Sequence, residues 1–137
     1  MNENNDFITT ATINAFKDAM IAKEENEHNL NDLTTLRVKG GDWNNPDISK
    51  RPTDPKGLSL SILHVLSNKG CVNVKSVGNV ALGITMKAFR LAAEEVASKT
   101  SATVLVIRQT EYDVFINDKK FTGINTRIFP IPTKNAL

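Results

Sequence analysis

Four groups of residues, three of them basic, carry most of the chemistry this sequence offers. The first lies in Lys39 to Thr53, a stretch rich in Gly, Pro, Asn and charge, where Lys39, Lys50 and Arg51 are followed closely by Lys56. Such side chains contact phosphates, and Trp43 in the same stretch offers a ring on which an unpaired base can stack. The alternative for Trp43 is a loop anchor folded onto the domain. The second is Gly78-Asn79, where a helix is expected to begin. Glycine permits close backbone approach, and the free amides of a helix N-terminus favour an anion, although an ordinary cap uses the same residues. The third is Lys119-Lys120 with Arg127 further along the chain. A protruding basic hairpin tracks a groove, and Phe115, Phe121 and Phe129 either pack inward or form stacking surface. The fourth, Lys87 and Arg90, reads as the solvated side of a helix.

Charge distribution sharpens this pattern. The net charge of +2 hides a division of the chain. Residues 1–33 hold seven acids (Glu3, Asp6, Asp18, Glu24, Glu25, Glu27, Asp32) and two lysines, a balance of −5, and residues 34–137 carry +7. An acidic arm joined to a basic domain points to a polyanion-binding surface for which the arm can compete. The bland alternative is a solvated basic surface with no ligand.

Catalytic groups are scarce. His28 lies in a polar linker and His64 lies mid-helix beside Leu63 and Val65, where a surface or core role is the default. Cys71 opens a strand and reads as a small buried apolar group. Glu94 and Glu95 are adjacent on a helix and so point in different directions. The sequence contains no phosphate-loop, GxGxxG, HExxH or GxSxG pattern. A non-enzymatic protein is therefore expected, with no cofactor and no metal. A single cysteine also excludes an internal disulfide and a Cys-rich zinc site. The N-terminus lacks a basic region followed by an apolar stretch, and no apolar run reaches 18 residues, so a cytoplasmic protein with no membrane partner is expected.

The elements that must position these residues are those of one domain, as 137 residues with 40% hydrophobic and 23% charged content suggest. Residues 1–32 read as an acidic, partly disordered arm with a possible helix over 7–23, capped by Asp6 and carrying Ile13, Phe16 and Met20 on one side. The compact domain is expected over 33–132, with 133–137 as a tail. Thr34 to Val38 reads as a strand and Lys39 to Thr53 as a long loop. Asp54-Pro55 starts a helix that Gly70 ends, with Leu58, Ile62, Val65 and Leu66 at helical spacing. Cys71 to Ser76 is a second strand. The next helix runs from Gly78-Asn79 to about Lys99, with Leu82, Met86, Phe89, Ala93 and Val96 as one stripe, widened by Ala81, Ile84, Ala88 and Leu91. Thr103 to Ile107 (TVLVI) lacks alternation, which predicts a central strand covered on both faces. Tyr112 to Ile116 and Phe121 to Ile131 form a hairpin around Asn117 to Lys120. The order is β-α-β-α-β-β.

The segment LSLSILHVLSNKGCVNVKSVGNVALGITMKAFRLA carries a likeness. A helix ends in Lys69-Gly70, a strand leads to Val77-Gly78, and Ala81-Leu82 and Lys87-Ala88 fall on the following helix. The segment resembles the stage V sporulation protein S family, small bacterial proteins with an Alba-like fold, and the likeness extends over about residues 34–131. It implies an α+β, Alba-like β-α-β-α-β-β sandwich with a four-stranded mixed sheet, here preceded by the acidic N-terminal helical arm. It also implies a dimer or higher homo-oligomer in a superfamily known for binding DNA or RNA. Binding in that superfamily uses the loop before the first helix, the start of the second helix and the hairpin arm. Those places hold Lys50, Arg51 and Lys56, then Gly78 and Asn79, then Lys119 and Lys120 with Arg127. The long loop after the first strand and Val80-Ala81 in place of Gly-Ala depart from the family pattern, and the arm lies outside it. The function expected from residues and resemblance together is non-enzymatic RNA or DNA binding of low sequence specificity by an oligomer, mainly through phosphate contacts. The alternatives are a protein-interaction or assembly module without direct nucleic-acid binding, and a small-ligand domain at the Gly78-Asn79 turn.

Overall fold

The computed structural model describes residues 34–133. The expected arm over 1–32, its helix over 7–23 and residues 134–137 of the tail lie outside the described residues. Four strands and two helices follow one another as β1 (Thr35–Arg37), α1 (Pro55–Lys69), β2 (Val72–Val77), α2 (Asn79–Lys99), β3 (Thr103–Ile116) and β4 (Lys119–Pro132), with one short 3-10 turn at Ile48–Lys50 between β1 and α1. The strands form one mixed sheet in the order β1-β2-β4-β3. β1 runs parallel to β2, and the other two pairings are antiparallel. The chain is thus α+β, with a four-stranded mixed sheet and two helices. No described helix is long and apolar enough to cross a membrane.

Local sequence sets the helix ends. The Asp54 carboxylate accepts from Gly57 N at 3.0 Å, Pro55 occupies the first turn, and Gly70 closes α1 at φ 80°, a left-handed conformation that disfavours a side chain. Both helices pack on one sheet face. Leu58 and Ile62 of α1 and Ile84, Ala88 and Ala92 of α2 meet Val72 and Val74 of β2 and Ile128 of β4, with Leu36, Leu105 and Ile107 at the margins. A second, smaller cluster of Cys71, Phe129, Ile131 and Val106 lies on the other face.

Three details differ from expectation. TVLVI is part of an edge strand, and the central position next to β2 belongs to β4. The run lacks alternation because Leu105 and Ile107 join the helix-side core and Val106 joins the opposite cluster, so two apolar faces do not require a central place. The buried line of α2 is Ala81, Ile84, Thr85, Ala88 and Ala92 rather than the Leu82–Val96 stripe, and Met86 is exposed. Small residues on this line let the helix backbone approach the sheet, and the bulkier side chains are displaced to its flanks. Finally, residues 103–116 form one continuous strand, and the hairpin turn is only two residues long. Asn117 and Asp118 have φ of 51° and 65°, the pair of positive values that a type I′ turn requires, so Lys119 and Lys120 already belong to β4, opposite Ile116 and Phe115.

Gly123 of β4 lies directly opposite Tyr112, whose ring fills the space a Cβ would need. We expect Gly123→Ala to cost about 1–3 kcal/mol in denaturant unfolding. The cost should shrink when Tyr112→Ala is already present, as a double-mutant cycle will read directly.

Candidate nucleic-acid interface

Because β1 and β2 are parallel, the loop after β1 and the start of α2 leave the sheet at the same end. β4 runs antiparallel to β2 with Gly123 opposite Val77, so the β3–β4 ribbon continues past that end as a free arm. Topology therefore gathers the long loop, the start of α1, the start of α2 and the hairpin arm at one end of the sheet.

The loop is held closed by its own sequence. At its two ends Lys39 N donates to Thr53 Oγ1 (2.9 Å) and Thr53 N donates to Lys39 O (2.8 Å). Inside it, Asp42 Oδ1 accepts from Asn44 N, Asn45 Oδ1 accepts from Asp47 N, and Asp47 Oδ1 accepts from both Ser49 N and Ser49 Oγ, at 2.7–3.0 Å. This is why the stretch is so rich in Asn and Asp: each short side chain folds the backbone two residues on. Lys39 Nζ donates to Ser49 O, and Arg51 Nε donates to Asn45 O at 2.7 Å, so these two cations brace the loop. Lys50 and Trp43 project to solvent, Trp43 with 49% of its surface accessible. Lys56 is exposed in the first turn of α1.

The loop leans on the second helix: a Cβ on Gly40 would sit 3.6 Å from Ala81 N and from Val80 Cβ. Gly78 precedes α2 at φ 88°, exposed and without a side-chain cap, and Asn79 is exposed beside it. On the arm, Phe115 is 69% and Phe121 42% exposed, with Ile116 also open and Lys119 and Lys120 at the tip. Lys120 lies 3.5 Å from Asp113, which partly offsets its charge.

Of the residues singled out from sequence, Lys39, Trp43, Lys50, Arg51, Lys56, Gly78, Asn79, Lys119 and Lys120 share this end. Arg127 does not. It sits in mid-strand, 8% exposed, on the sheet face away from the helices, and its Nε donates to Asn73 Oδ1 at 3.1 Å. Burial pushes its guanidinium pKa below the ordinary arginine value. Phe129 also faces inward and is fully buried, leaving Phe115 and Phe121 as the exposed rings. Arg90 pairs with Glu94 and Lys99 with Glu95, each at 2.9 Å, as expected for a solvated helix face. Among the described residues no group of three or more His, Cys, Asp or Glu side chains is placed to hold a metal ion.

Sequence reasoning missed Arg37, Lys75 and Arg108, which share the helix-free face with Arg127. Strand alternation marks each of them individually, but only the register aligns them. Neither a protein-family model nor a curated protein matches the chain.

The two hydrogen bonds from Ser49 hold the Asp47 carboxyl below its usual value of 3.8. A depressed folded pKa means that the loop gains from this turn above the unfolded pKa and loses it only as pH falls through the lower folded value. NMR titration should show the Asp47 pKa rising toward 3.8 in Ser49→Ala, with no such rise in a Ser98→Ala control.

Proposed function

We propose that this protein is a non-enzymatic nucleic-acid-binding protein that takes single-stranded RNA or DNA across one end of its sheet. The observation that carries the reading is that one end of the sheet exposes three rings, Trp43 on the loop and Phe115 and Phe121 on opposite faces of the ribbon, along with the exposed lysines Lys50, Lys56, Lys119 and Lys120. Rings give a strand's bases a stacking surface, and lysines give its phosphates counter-charge. Neither contact reads sequence, so low specificity and strong salt dependence follow. The braced loop keeps Trp43 in place before ligand arrives, which lowers the ordering cost of binding.

The element order and the sheet order support an Alba-like reading of the domain, in keeping with the resemblance to the stage V sporulation protein S family. On that reading the protein acts in the cytoplasm as a dimer or higher homo-oligomer. The roles of Lys39 and Arg51 become structural, maintaining the loop rather than contacting phosphate. Arg127 is removed from the interface altogether.

A second reading has its own support. The arm exposes Ile116 and Phe121 on one face and Phe115 on the other, apolar surface that also suits assembly with another chain. In that case the arm joins copies, and the basic end of the sheet meets an acidic protein.

Fluorescence anisotropy with a single-stranded oligonucleotide separates the two. With Lys50, Lys56, Lys119 and Lys120 all changed to Gln, we expect weaker binding and a salt slope shallower by about 3, at roughly 0.7 per lost phosphate contact. Trp43→Ala should weaken binding by about 1–3 kcal/mol. Wild-type protein that fails to bind at low salt, or unchanged affinity in both variants, contradicts the proposal. Loss of assembly in Phe115→Ser/Phe121→Ser with oligonucleotide binding intact assigns the arm to the second reading.

A further inference from the structure

β3 is 14 residues long, stands at the edge of the sheet and pairs with β4 in one unbroken register. It carries no proline, lysine or bulge, devices by which native edges discourage further pairing. Its backbone phase is fixed at both ends. Thr133 N donates to Ala102 O at 3.0 Å, so even-numbered residues along this strand turn their backbone groups toward β4. The type I′ turn at Asn117 and Asp118 closes on Ile116 and Lys119 in the same phase. The odd-numbered residues from Thr103 to Phe115 therefore aim every N–H and C=O away from the sheet. Among the described residues none of these groups meets a hydrogen-bond partner. Such a row is a template for one more strand. The side chains agree, since Val104, Phe115 and Ile116 of the same strand are exposed.

We propose that a second copy of this chain supplies that strand: two β3 edges pair antiparallel about a two-fold axis at Thr110, joining both sheets into one. The inference rests on the homo-oligomer reading given above and needs no nucleic acid. Symmetry restricts the register. Directly opposed residues share a sheet face, so the axis must pass through a residue and not between two. An axis at Arg108 or at Glu111 sets like charges against each other. One at Gln109 sets Glu111 against the partner's Ile107 and Asp113 against the partner's Leu105. Axes further toward either end pair less of the strand. With the axis at Thr110, every residue except Thr103 is engaged. Glu111 then meets the partner's neutral Gln109, and Val106 meets the partner's Val114. The exposed apolar side chains all find apolar neighbours, Ile116 opposite the partner's Val104 and Phe115 opposite the partner's Leu105. Asp113 faces the partner's Ile107 and keeps Lys120 at 3.5 Å. This match of the strand to itself selects a second copy over a foreign peptide, which would require none. Lys119, Lys120 and Phe121 lie on β4 and stay open. Phe115 serves both the joint and the proposed binding end, so the test leaves it unchanged.

Thr110 is exposed, and on the axis it is the one residue that meets itself. Thr110→Glu and Thr110→Lys each oppose like charges across the joint, whereas a mixture of the two opposes unlike ones. Light scattering on the full-length wild type should show a dimer or a multiple of it. Each single variant, folded by circular dichroism, should hold its partner at least tenfold more weakly. Native mass spectrometry of the equimolar mixture should show the mixed dimer restored. A monomeric wild type overturns the proposal together with the homo-oligomer reading. A dimer that ignores both substitutions overturns the β3 joint alone. Amide exchange on the wild type needs no variant: pairing protects odd- and even-numbered amides of residues 104–116 alike. Fast exchange at the odd positions beside slow exchange at the even ones overturns the proposal. None of these readouts uses an oligonucleotide, so their failure is distinct from a failure of nucleic-acid binding.

Discussion

The parallel pairing of Thr35–Arg37 with Asn73–Lys75, only three residues long, is the constraint on which the rest of the structure depends. Parallel neighbours cannot be joined by a tight turn, so the chain must cross over, and the crossover supplies both the long loop and α1. It also fixes direction. The C-terminal ends of β1 and β2 fall together, which sets the loop against the start of α2 at Gly40 and Ala81. With β4 antiparallel to β2, the tip of the β3–β4 ribbon is sent to that same end. Segments separated by as many as 80 residues in the chain thus become neighbours through backbone hydrogen bonding, before any side chain has been chosen for a ligand.

The same register creates a second cationic region that is chemically unlike the first. At the sheet end, lysines stand in water on flexible stems, suited to making and releasing phosphate contacts. On the helix-free face, cations are ordered by strand spacing and at least one is buried. Lys75 lies over the Tyr112 ring at 5.1 Å, and Asn73 Oδ1 accepts from both Arg127 Nε and Asn125 Nδ2. Burial raises the Tyr112 hydroxyl pKa, while the nearby Arg37 acts against that rise. Such a network fixes side-chain positions and specifies one arrangement.

How much of this was legible in the sequence depends on the range of the interaction involved. Asp54-Pro55 and Gly70 frame α1 through contacts within one turn, and their meaning survives without any knowledge of the rest of the chain. The basic character of the loop, the start of α2 and the hairpin tip is equally local. Strand order is not: TVLVI at an edge and at a centre has the same composition, and only pairing with β4 decides between them. Arg127 was misplaced for the same reason, since a cation four residues from an exposed arm looks exposed until register aligns it with Asn73. Lys39 and Arg51 carry the charge of phosphate ligands, but loop closure turns them onto Ser49 and Asn45 carbonyls. In each case the residue type was readable and the partner was not.

The claim that ties these observations together is that one end of the sheet, assembled by topology, is where a nucleic-acid strand lies. Amide and indole chemical-shift mapping of the full-length protein during titration with a short single-stranded RNA tests it most directly. The account requires the largest changes at Trp43, Lys50, Lys56, Gly78-Asn79 and Phe115 to Phe121, with little movement at Cys71, Asn73, Arg108 and Phe129. Changes concentrated on the Asn73–Arg127–Arg108 row, with the sheet end silent, would contradict it.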